Sequence, residues 1–226
     1  MADVERMIDP TVAAVMIEPI QGEGGVMPAP PGYLQDLRTL CDERDILLMV
    51  DEIQTGLGRT GRWWGFQHHL PEGIRPDVVT IAKALGNGMP IGACWATREV
   101  SSAFKPGDHG STYSGQPLAA SAALKVLEIM RRDDIPAMAA RAGTRLRAGL
   151  LAIPGVQDVR GTGLLIAAEL AAGNAKDVYA RGMELGIVTN AVTNTSLRIA
   201  PPLNVSDAHI DEGVAMLARA ISECQP

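Results

Sequence analysis

Three charged residues that could take part in catalysis each follow a short apolar run. Glu18, Asp51 and Lys83 all stand directly after such a run, as if at the end of a buried strand. Because open α/β sheets bind ligands outside the carboxyl ends of their strands, neighbouring strands would bring two carboxylates and an amine together. These groups can serve as acids, bases and a nucleophile. Most charged residues are simply exposed, so each of the three could also be an ordinary surface residue.

The elements that would position these residues appear as alternating apolar runs and helical patterns. Leu34, Leu37 and Leu40 recur at helical spacing after Pro30 and Pro31, which are typical of a helix start. Short apolar runs separated by segments of helix length favour βαβ units and a parallel sheet. The predicted strands are Val12–Ile17, Ile46–Val50, Val78–Ala82 and Ala93–Ala96.

The pattern of predicted elements changes after the predicted helix Pro117–Arg131. An apolar helical stripe and several short strand-like runs follow, with a further helix over Ala175–Leu185 and a last helix capped by Ser206. The sequence therefore predicts an α/β protein with two parts: part of a large domain with a mostly parallel sheet over residues 1–130, and a smaller α+β domain over residues 131–226. The later predicted strands are Val156–Arg160, Leu164–Leu170, Ile187–Asn190 and Leu197–Ala200.

Composition excludes several classes of function. The 226 residues contain 20 Lys and Arg against 26 Asp and Glu, a formal net charge of −6, which argues against a nucleic-acid-binding surface. No apolar run approaches the roughly 20 residues that span a bilayer, so no membrane partner is expected. The three cysteines are scattered and His68 and His69 stand alone, which predicts no metal site and reduced thiols in a cytoplasmic protein.

Long motifs around the charged residues make the surface interpretation much weaker. Residues 50–61 read Val-Asp-Glu-Ile-Gln-Thr-Gly-Leu-Gly-Arg-Thr-Gly, and residues 82–88 read Ala-Lys-Ala-Leu-Gly-Asn-Gly after a Pro-Asp pair. Together with residues 18–25, 110–113 and 197–203, they resemble the signature of class III (subgroup II) pyridoxal-phosphate aminotransferases. The resemblance runs from about residue 12 to the C-terminus and implies the fold type I of pyridoxal-phosphate-dependent transferases.

The resemblance assigns the cofactor chemistry to two of these motifs. It implies that Lys83 is the lysine that binds pyridoxal phosphate covalently and then transfers protons. Asp51 would keep the pyridine nitrogen protonated, so that the ring can accept electrons. Gln54 would donate to the ring hydroxyl, Ile53 would pack on a ring face, and Glu52 is included among the cofactor-binding residues.

The same resemblance implies a substrate site and a dimer. Arg198 corresponds to an arginine that takes a substrate carboxylate, a group that a planar guanidinium can bind through two hydrogen bonds. Glu23 corresponds to a glutamate that pairs with this arginine when another substrate is bound. Thr112 would reach the cofactor phosphate of the neighbouring subunit and Ser111 would lie near the substrate there, so a homodimer with shared active sites is expected.

Within the family, the sequence looks most like acetylornithine aminotransferases. Residues 104–112 and 186–192 carry this likeness. It implies that N-acetylornithine gives its δ-amino group to the cofactor and that 2-oxoglutarate takes it, forming N-acetylglutamate 5-semialdehyde and glutamate in arginine biosynthesis. Ornithine, succinylornithine and other ω-amino-acid aminotransferases share much of the pattern and stay open as alternatives.

The resemblance also predicts that the chain corresponds to the C-terminal half of such an enzyme. Family members carry a phosphate-binding loop, a ring-stacking aromatic residue and a second substrate arginine before the strand that ends at Glu18. We therefore expect the 226 residues alone to catalyse poorly. A non-catalytic fragment that only dimerises, or that binds another aminotransferase chain, is the alternative from a different functional class.

Overall fold

The computed structural model describes residues 1–224, and these form two compact units. Unit 1 comprises Met1–Pro19, Ala29–Leu57 and Trp64–Asp133, and unit 2 comprises Ile20–Pro28, Gly58–Trp63 and the residues from Asp134 onward. The division at residues 130 and 131 stays a prediction. The helices of unit 1 are α1 (Ala2–Met7), α2 (Tyr33–Arg44), α3 (Arg98–Ser101) and α4 (Pro117–Arg132), and its strands are β1 (Ala14–Ile17), β4 (Leu47–Asp51), β5 (Val78–Ile81) and β6 (Ala93–Ala96). Unit 2 holds β2 (Ile20–Gln21), β3 (Met27–Pro28), α5 (Ile135–Leu151), β7 (Val156–Thr162), β8 (Leu165–Leu170), α6 (Ala175–Leu185), β9 (Asn190–Ala191), β10 (Ser196–Ile199) and α7 (Asp207–Glu223).

The sheet of unit 1 runs in the order β1-β4-β5-β6. The first three strands are parallel and β6 is antiparallel to β5. Val50 lies opposite Ile17 on one side and Val79 on the other, and these side chains form one apolar face that packs with Leu34 and Leu37 of α2. The predicted α/β fold with a mostly parallel sheet is confirmed.

Asp77 fixes the relative position of β4 and β5. Its Oδ2 accepts hydrogen bonds from the Leu48 amide at 2.7 Å and from Arg38 Nη1 at 2.6 Å. The Asp77 amide donates to the Leu48 carbonyl at 2.8 Å. Since register decides which side chains reach each face of a sheet, this short Pro-Asp motif determines what β4 presents to each side.

Unit 2 is built on an antiparallel sheet in the order β7-β8-β10-β9. Helices α5, α6 and α7 cover it, and their apolar side chains form one core with those of the sheet. Ser206 caps α7 as predicted, because its side chain accepts a hydrogen bond from the His209 amide at 3.2 Å. This is the smaller α+β unit that the sequence predicts.

The strand predicted at Ile187–Asn190 begins too early, because Ile187 still bonds to the end of α6 and the next two residues form no strand. Gly186 takes a left-handed conformation with φ +92° and donates to the Met183 carbonyl, and the Ile187 amide donates to the Gly182 carbonyl at 2.9 Å. Such bonds satisfy the last carbonyls of α6, so the Ile187 amide is used before a strand could form. The strand there, β9, covers only Asn190–Ala191.

A hairpin that the sequence did not indicate lies in unit 2. Strands β2 and β3 pair over Ile20–Gln21 and Met27–Pro28. Ile20 and Val26 are fully buried against Leu165 and Ala167 of β8. The hairpin therefore packs on the antiparallel sheet, although only Pro19 separates it from Glu18, which belongs to unit 1. No helix in residues 1–224 combines the length and apolarity that a membrane crossing requires.

Candidate active site

Asp51 is the last residue of β4 and lies on the sheet face opposite to α2. It is half-buried, and its Oδ1 accepts a hydrogen bond from the Ile53 amide at 2.8 Å. In the sheet, Asp51 lies opposite Thr80, which in turn lies opposite Cys94. Residues in register share one face, so a carboxylate, a hydroxyl and a thiol form a polar row near the carboxyl end of the parallel strands.

Lys83 follows the end of β5 after one intervening residue, Ala82, and begins a short 3-10 helix, Lys83–Leu85, against which α4 packs. Its φ of +43° is in the left-handed region, which a residue other than glycine adopts at a cost. Its side chain is exposed. An accessible amine held on a strained turn three residues after Thr80 is therefore available to react with a carbonyl compound.

The side chain of Glu52 points away from that of Asp51 and is enclosed by the protein. It is 1% exposed. Its Oε1 accepts from the Phe66 amide at 2.8 Å, and its Oε2 accepts from the Gly65 amide at 2.8 Å and from Thr55 Oγ1 at 2.6 Å. Burial raises the pKa of Glu52 despite these hydrogen bonds. All three donors belong to the protein, so the place of Glu52 among the cofactor-binding residues stays a prediction.

Gly65 shows how closely the chain approaches this buried carboxylate. A Cβ at that position would lie 2.9 Å from Thr55 Cβ and 3.1 Å from Glu52 Oε2. A larger residue would therefore push the amide away from its acceptor. The segment Gly65–His68, a 3-10 helix, is thus tied to the turn that follows β4.

The residues of unit 1 fit a flat heteroaromatic aldehyde such as pyridoxal phosphate. Ile53 and Gln54 are half-buried on the turn after Asp51. Within residues 1–224, the buried Thr80 Oγ1 has no hydrogen-bond partner, so the face beside Asp51 keeps an unused donor. An amine for the aldehyde, a carboxylate for a ring nitrogen and an unused hydroxyl therefore occur on adjacent strands.

Ser111 and Thr112 lie in the segment between α3 and α4, and both are exposed. The Tyr113 amide donates to Ser111 Oγ at 3.3 Å. The segment carries exposed aromatic side chains as well, with Phe104 at 64% and Tyr113 at 81% exposure. Their predicted action across a dimer interface stays a prediction.

Unit 2 brings together Glu23 and Arg198, which are 175 residues apart in the sequence. Arg198 lies on β10 between Ala167 of β8 and Asn190 of β9. Its Nη1 donates to Glu23 Oε1 at 2.5 Å. The Arg198 side chain is only 14% exposed, whereas that of Glu23 is 75% exposed. A mostly buried cation thus meets an accessible carboxylate, a pairing that an incoming carboxylate could replace.

One known family matches nearly the whole chain. The family described as aminotransferase class-III matches residues 1–221. The chain belongs to the class-III aminotransferases. This family uses pyridoxal phosphate, so the predicted cofactor and the membership of the family are confirmed.

Relatives of this class-III aminotransferase chain are named acetylornithine aminotransferases. Those from Corynebacterium efficiens and Mycobacterium bovis are both 45% identical, over 95% and 93% of this chain and 53% and 52% of their own lengths. The chain therefore spans about half the length of the curated relatives it matches.

Solved structures agree with the fold. An N-acetylornithine aminotransferase from Stenotrophomonas maltophilia superposes with a TM-score of 0.87 at 39% identity, over 98% of this chain and 60% of that one. An ornithine aminotransferase from Toxoplasma gondii, which was found with partial pyridoxal phosphate occupancy at its active site, gives 0.88 at 36% identity, over 97% of this chain and 53% of that one. The predicted partial fold type I architecture is confirmed.

Two residues that the sequence did not single out stand beside the predicted ones. Thr80 could have been found from strand alternation, because it follows the buried Val79 and so faces the same side as Asp51. Arg160 donates to the Gly25 carbonyl at 2.9 Å, near Glu23. No local pattern reveals this second contact, because its partners are 135 residues apart.

Proposed function

We propose that this chain provides the lysine, the ring-nitrogen carboxylate and the substrate-carboxylate arginine of an acetylornithine aminotransferase. The reaction would move the δ-amino group of N-acetylornithine to 2-oxoglutarate with pyridoxal phosphate as carrier. The observation that carries the proposal is the exposed Lys83 side chain, which lies three residues after Thr80, the residue that faces Asp51 across the sheet. The names of the relatives support the choice of substrate.

The residues of unit 1 would do the work around the cofactor. Pyridoxal phosphate supplies an electron sink when it is bound. Lys83 would attach it through its amine and, once released, would carry a proton to and from substrate carbon. Asp51 would hold the proton on the ring nitrogen, and the Ile53 amide keeps the Asp51 carboxylate oriented for that task. Gln54 would donate to the ring hydroxyl.

Arg198 would bind the carboxylate of the glutamate and 2-oxoglutarate pair. A guanidinium that is mostly removed from water binds a carboxylate more strongly than an exposed one does. Glu23 would neutralise Arg198 when the substrate brings no carboxylate to it. One site would then accept two amino donors of different charge.

A second copy of the chain is proposed as the partner. Thr112 would contact the cofactor phosphate of the other subunit and Ser111 the substrate there. Exposed apolar side chains near this segment support a protein interface, since soluble monomers rarely expose many of them together. Phe104, Tyr113, Leu118 and Leu124 are 64%, 81%, 72% and 69% exposed.

Reductive trapping tests the central assignment. The protein is incubated with pyridoxal phosphate, reduced with borohydride and mapped by peptide mass spectrometry. The pyridoxyl group should be found on Lys83 and should disappear in a Lys83→Arg variant, whereas Lys105→Arg should leave the label in place. A label mainly on Lys105, Lys125 or Lys176 would refute the assignment.

Substrate choice needs its own measurement. A full-length enzyme that contains these residues, loaded with pyridoxal phosphate, is offered N-acetylornithine, ornithine, succinylornithine and 4-aminobutyrate with 2-oxoglutarate, and glutamate formation is followed. We expect the largest kcat/KM for N-acetylornithine. A larger value for one of the other amines would keep the family and change the substrate.

A non-catalytic chain that binds another aminotransferase chain is the second candidate. The exposed apolar side chains between α3 and α4 and on α4 favour it as much as they favour a catalytic dimer. Absorbance of bound cofactor separates the two. A catalytic protein should show a near-visible absorbance band of cofactor bound to Lys83, and this band should be lost in Lys83→Arg. A chain that only binds a partner should form oligomers without that absorbance band.

A further inference from the structure

The loop that carries Glu23 is fixed to the sheet of unit 2 from both of its ends. Ile20 and Val26 are 2% and 0% exposed and pack on Leu165 and Ala167 of β8. Burial of two such side chains removes apolar surface from water, so these contacts hold the β2–β3 hairpin on the sheet.

Arg160 also binds the middle of the same loop through a hydrogen bond. This residue of β7 donates from Nε to the Gly25 carbonyl at 2.9 Å, from Nη1 to Glu169 Oε2 at 2.7 Å, and from Nη2 to Ser196 Oγ at 2.7 Å. The side chain is 20% exposed. A guanidinium offers donors in several fixed directions, which a lysine ammonium does not reproduce.

The partners of Arg160 are themselves held in place. Ser196 is 1% exposed and also donates to Glu169, and Thr193 Oγ1 donates to Ser196 Oγ at 2.9 Å. Burial opposes ionisation of Glu169, but hydrogen bonds from Ser196, Thr195 and Arg160 together hold its pKa below the usual value. Arg160 therefore projects from a charged, hydrogen-bonded base and has little freedom to follow a moving loop.

The backbone of the loop leaves little room between it and this base. Gly25 has φ +106°, and a Cβ there would lie 3.3 Å from Thr193 Cγ2 and 3.4 Å from Arg160 Nη2. Val26 follows with φ +54°, a left-handed conformation that a non-glycine residue adopts only at an energetic cost. The contacts at Ile20, Val26 and Arg160 offset that cost and determine the course of the loop.

The anchor and the ion pair occupy the same two segments. Glu23 is two residues before Gly25, and Arg198 is two residues after Ser196. We infer that Arg160 is a positioning residue that holds the Glu23 loop, so that Glu23 closes on Arg198 and competes with substrate carboxylates. This inference rests on the proposed role of Arg198.

The expected effect follows from effective concentration. A carboxylate held on a fixed loop returns to its partner at a high local concentration, and this concentration falls when the loop can move. Loss of the anchor should therefore weaken the Glu23–Arg198 pair and leave Arg198 more open to a dicarboxylate. Discrimination between dicarboxylate and other substrates would fall as a result.

Hydrogen exchange measures the anchor without reference to any activity. Arg160→Met and Arg160→Lys are compared with Arg145→Met, which removes an exposed arginine that pairs with Asp211 in the same unit. Amide exchange in residues 20–28 should accelerate about tenfold in both Arg160 variants and stay unchanged in the control. Arg160→Lys keeps a charge beside Glu169 and so separates loop release from unfolding. Unchanged exchange in a folded Arg160→Lys protein would overturn the inference.

Glutarate, a dicarboxylate without an amino group, then tests the consequence by calorimetry. We expect Arg160→Lys to bind it about threefold more tightly than the unaltered protein, and Glu23→Gln to bind it at least as tightly. If an Arg198→Gln variant binds glutarate as tightly as the unaltered protein, the proposed role of Arg198 fails and the inference fails with it. If Arg198 is required but Arg160→Lys leaves the affinity unchanged, only the inference fails.

Discussion

The buried Glu52 cluster of unit 1 and the Glu23–Arg198 pair of unit 2 differ in how far apart their members lie in the sequence. In unit 1, Glu52 meets its partners Thr55, Gly65 and Phe66 within 14 residues. In unit 2, Arg198 and Glu23 are separated by 175 residues. The side-chain contacts of Glu52 are therefore local in sequence, whereas the contact of Arg198 with Glu23 depends on the packing of a hairpin against a sheet.

The clusters also differ in which carboxylate is accessible. Glu52 is 1% exposed, whereas the Glu23 side chain is 75% exposed. A buried acid with three donors stabilises one geometry, and an exposed acid on a fixed loop permits two. The comparison predicts that substitutions in unit 1 affect cofactor chemistry or stability, and that those in unit 2 affect substrate choice.

The largest expected effect is that of Asp51→Asn on turnover. The change keeps size and a hydrogen-bonding group but removes the charge that would hold the ring-nitrogen proton. In a full-length enzyme that contains these residues, we expect kcat to fall by about 10²–10⁴-fold while pyridoxal phosphate stays bound. Absorbance of bound cofactor and steady-state kinetics measure both, with the exposed Asp36→Asn as control. Near-normal turnover would show that the cofactor is not tuned from this position.

Glu52→Ala should lower stability by about 3 kcal/mol. The substitution leaves the Gly65 and Phe66 amides and the Thr55 hydroxyl without their acceptor in a buried place. Urea unfolding measures the loss, and Glu43→Ala on the exposed side of α2 should change stability by no more than about 0.5 kcal/mol. Equal stability of the two variants would mean that Glu52 does not hold the Gly65–His68 segment.

Arg198→Gln should mainly weaken the binding of dicarboxylates. Loss of a charge-assisted pair costs about 2 kcal/mol, so KM for 2-oxoglutarate should rise roughly 30-fold with a smaller change in KM for N-acetylornithine. The matched control is Arg219→Gln, which removes an exposed arginine paired with Glu223. Equal changes in both KM values would contradict a specific role in carboxylate recognition.

The smallest expected effect is a pH dependence that comes from Glu52. Burial raises its folded pKa above the ordinary value of 4.5, so between these two values the folded state binds more protons than the unfolded state. Stability from this group is therefore fully present in acid and is lost as pH rises through the folded pKa. Unfolding free energies from pH 4.5 upward should decline relative to Glu52→Gln. A constant difference between the two proteins would show that the pKa is not raised.

Much of unit 1 could be predicted from the sequence, since its signals are local. Apolar runs marked the strands, and the residues after them, Asp51 and Lys83, lie where a parallel sheet binds ligands. The sequence did not indicate that Asp51 would be half-buried at the sheet edge while its neighbour Glu52 would be enclosed. Strand register and the Gly65–His68 segment decide this difference. The strand predicted at Ile187–Asn190 begins too early because periodicity does not reveal that the end of α6 uses the Ile187 amide.

The loop contacts of unit 2 were harder to predict for a different reason. Arg160 meets the Gly25 carbonyl only after the hairpin has packed on β8. Arginine occurs at many exposed strand positions, so the residue type alone does not predict that Arg160 contacts a distant loop. Such contacts depend on pairs distant in sequence, which a single chain read from end to end does not display.

The alternation of Asp51 and Glu52 makes the spacing of β4 unusually intolerant. Asp77 secures Leu48 at one end of the strand, and the Glu52 amide donates to the Thr80 carbonyl at the other. An insertion or deletion of one residue between Leu48 and Asp51 would exchange the two acids, turning Glu52 away from the Gly65 and Phe66 amides and Asp51 away from the face that it shares with Thr80. Either change should do more harm than replacing Asp51 and Glu52 together. Length variation in this part of the chain should therefore be confined to loops outside β4.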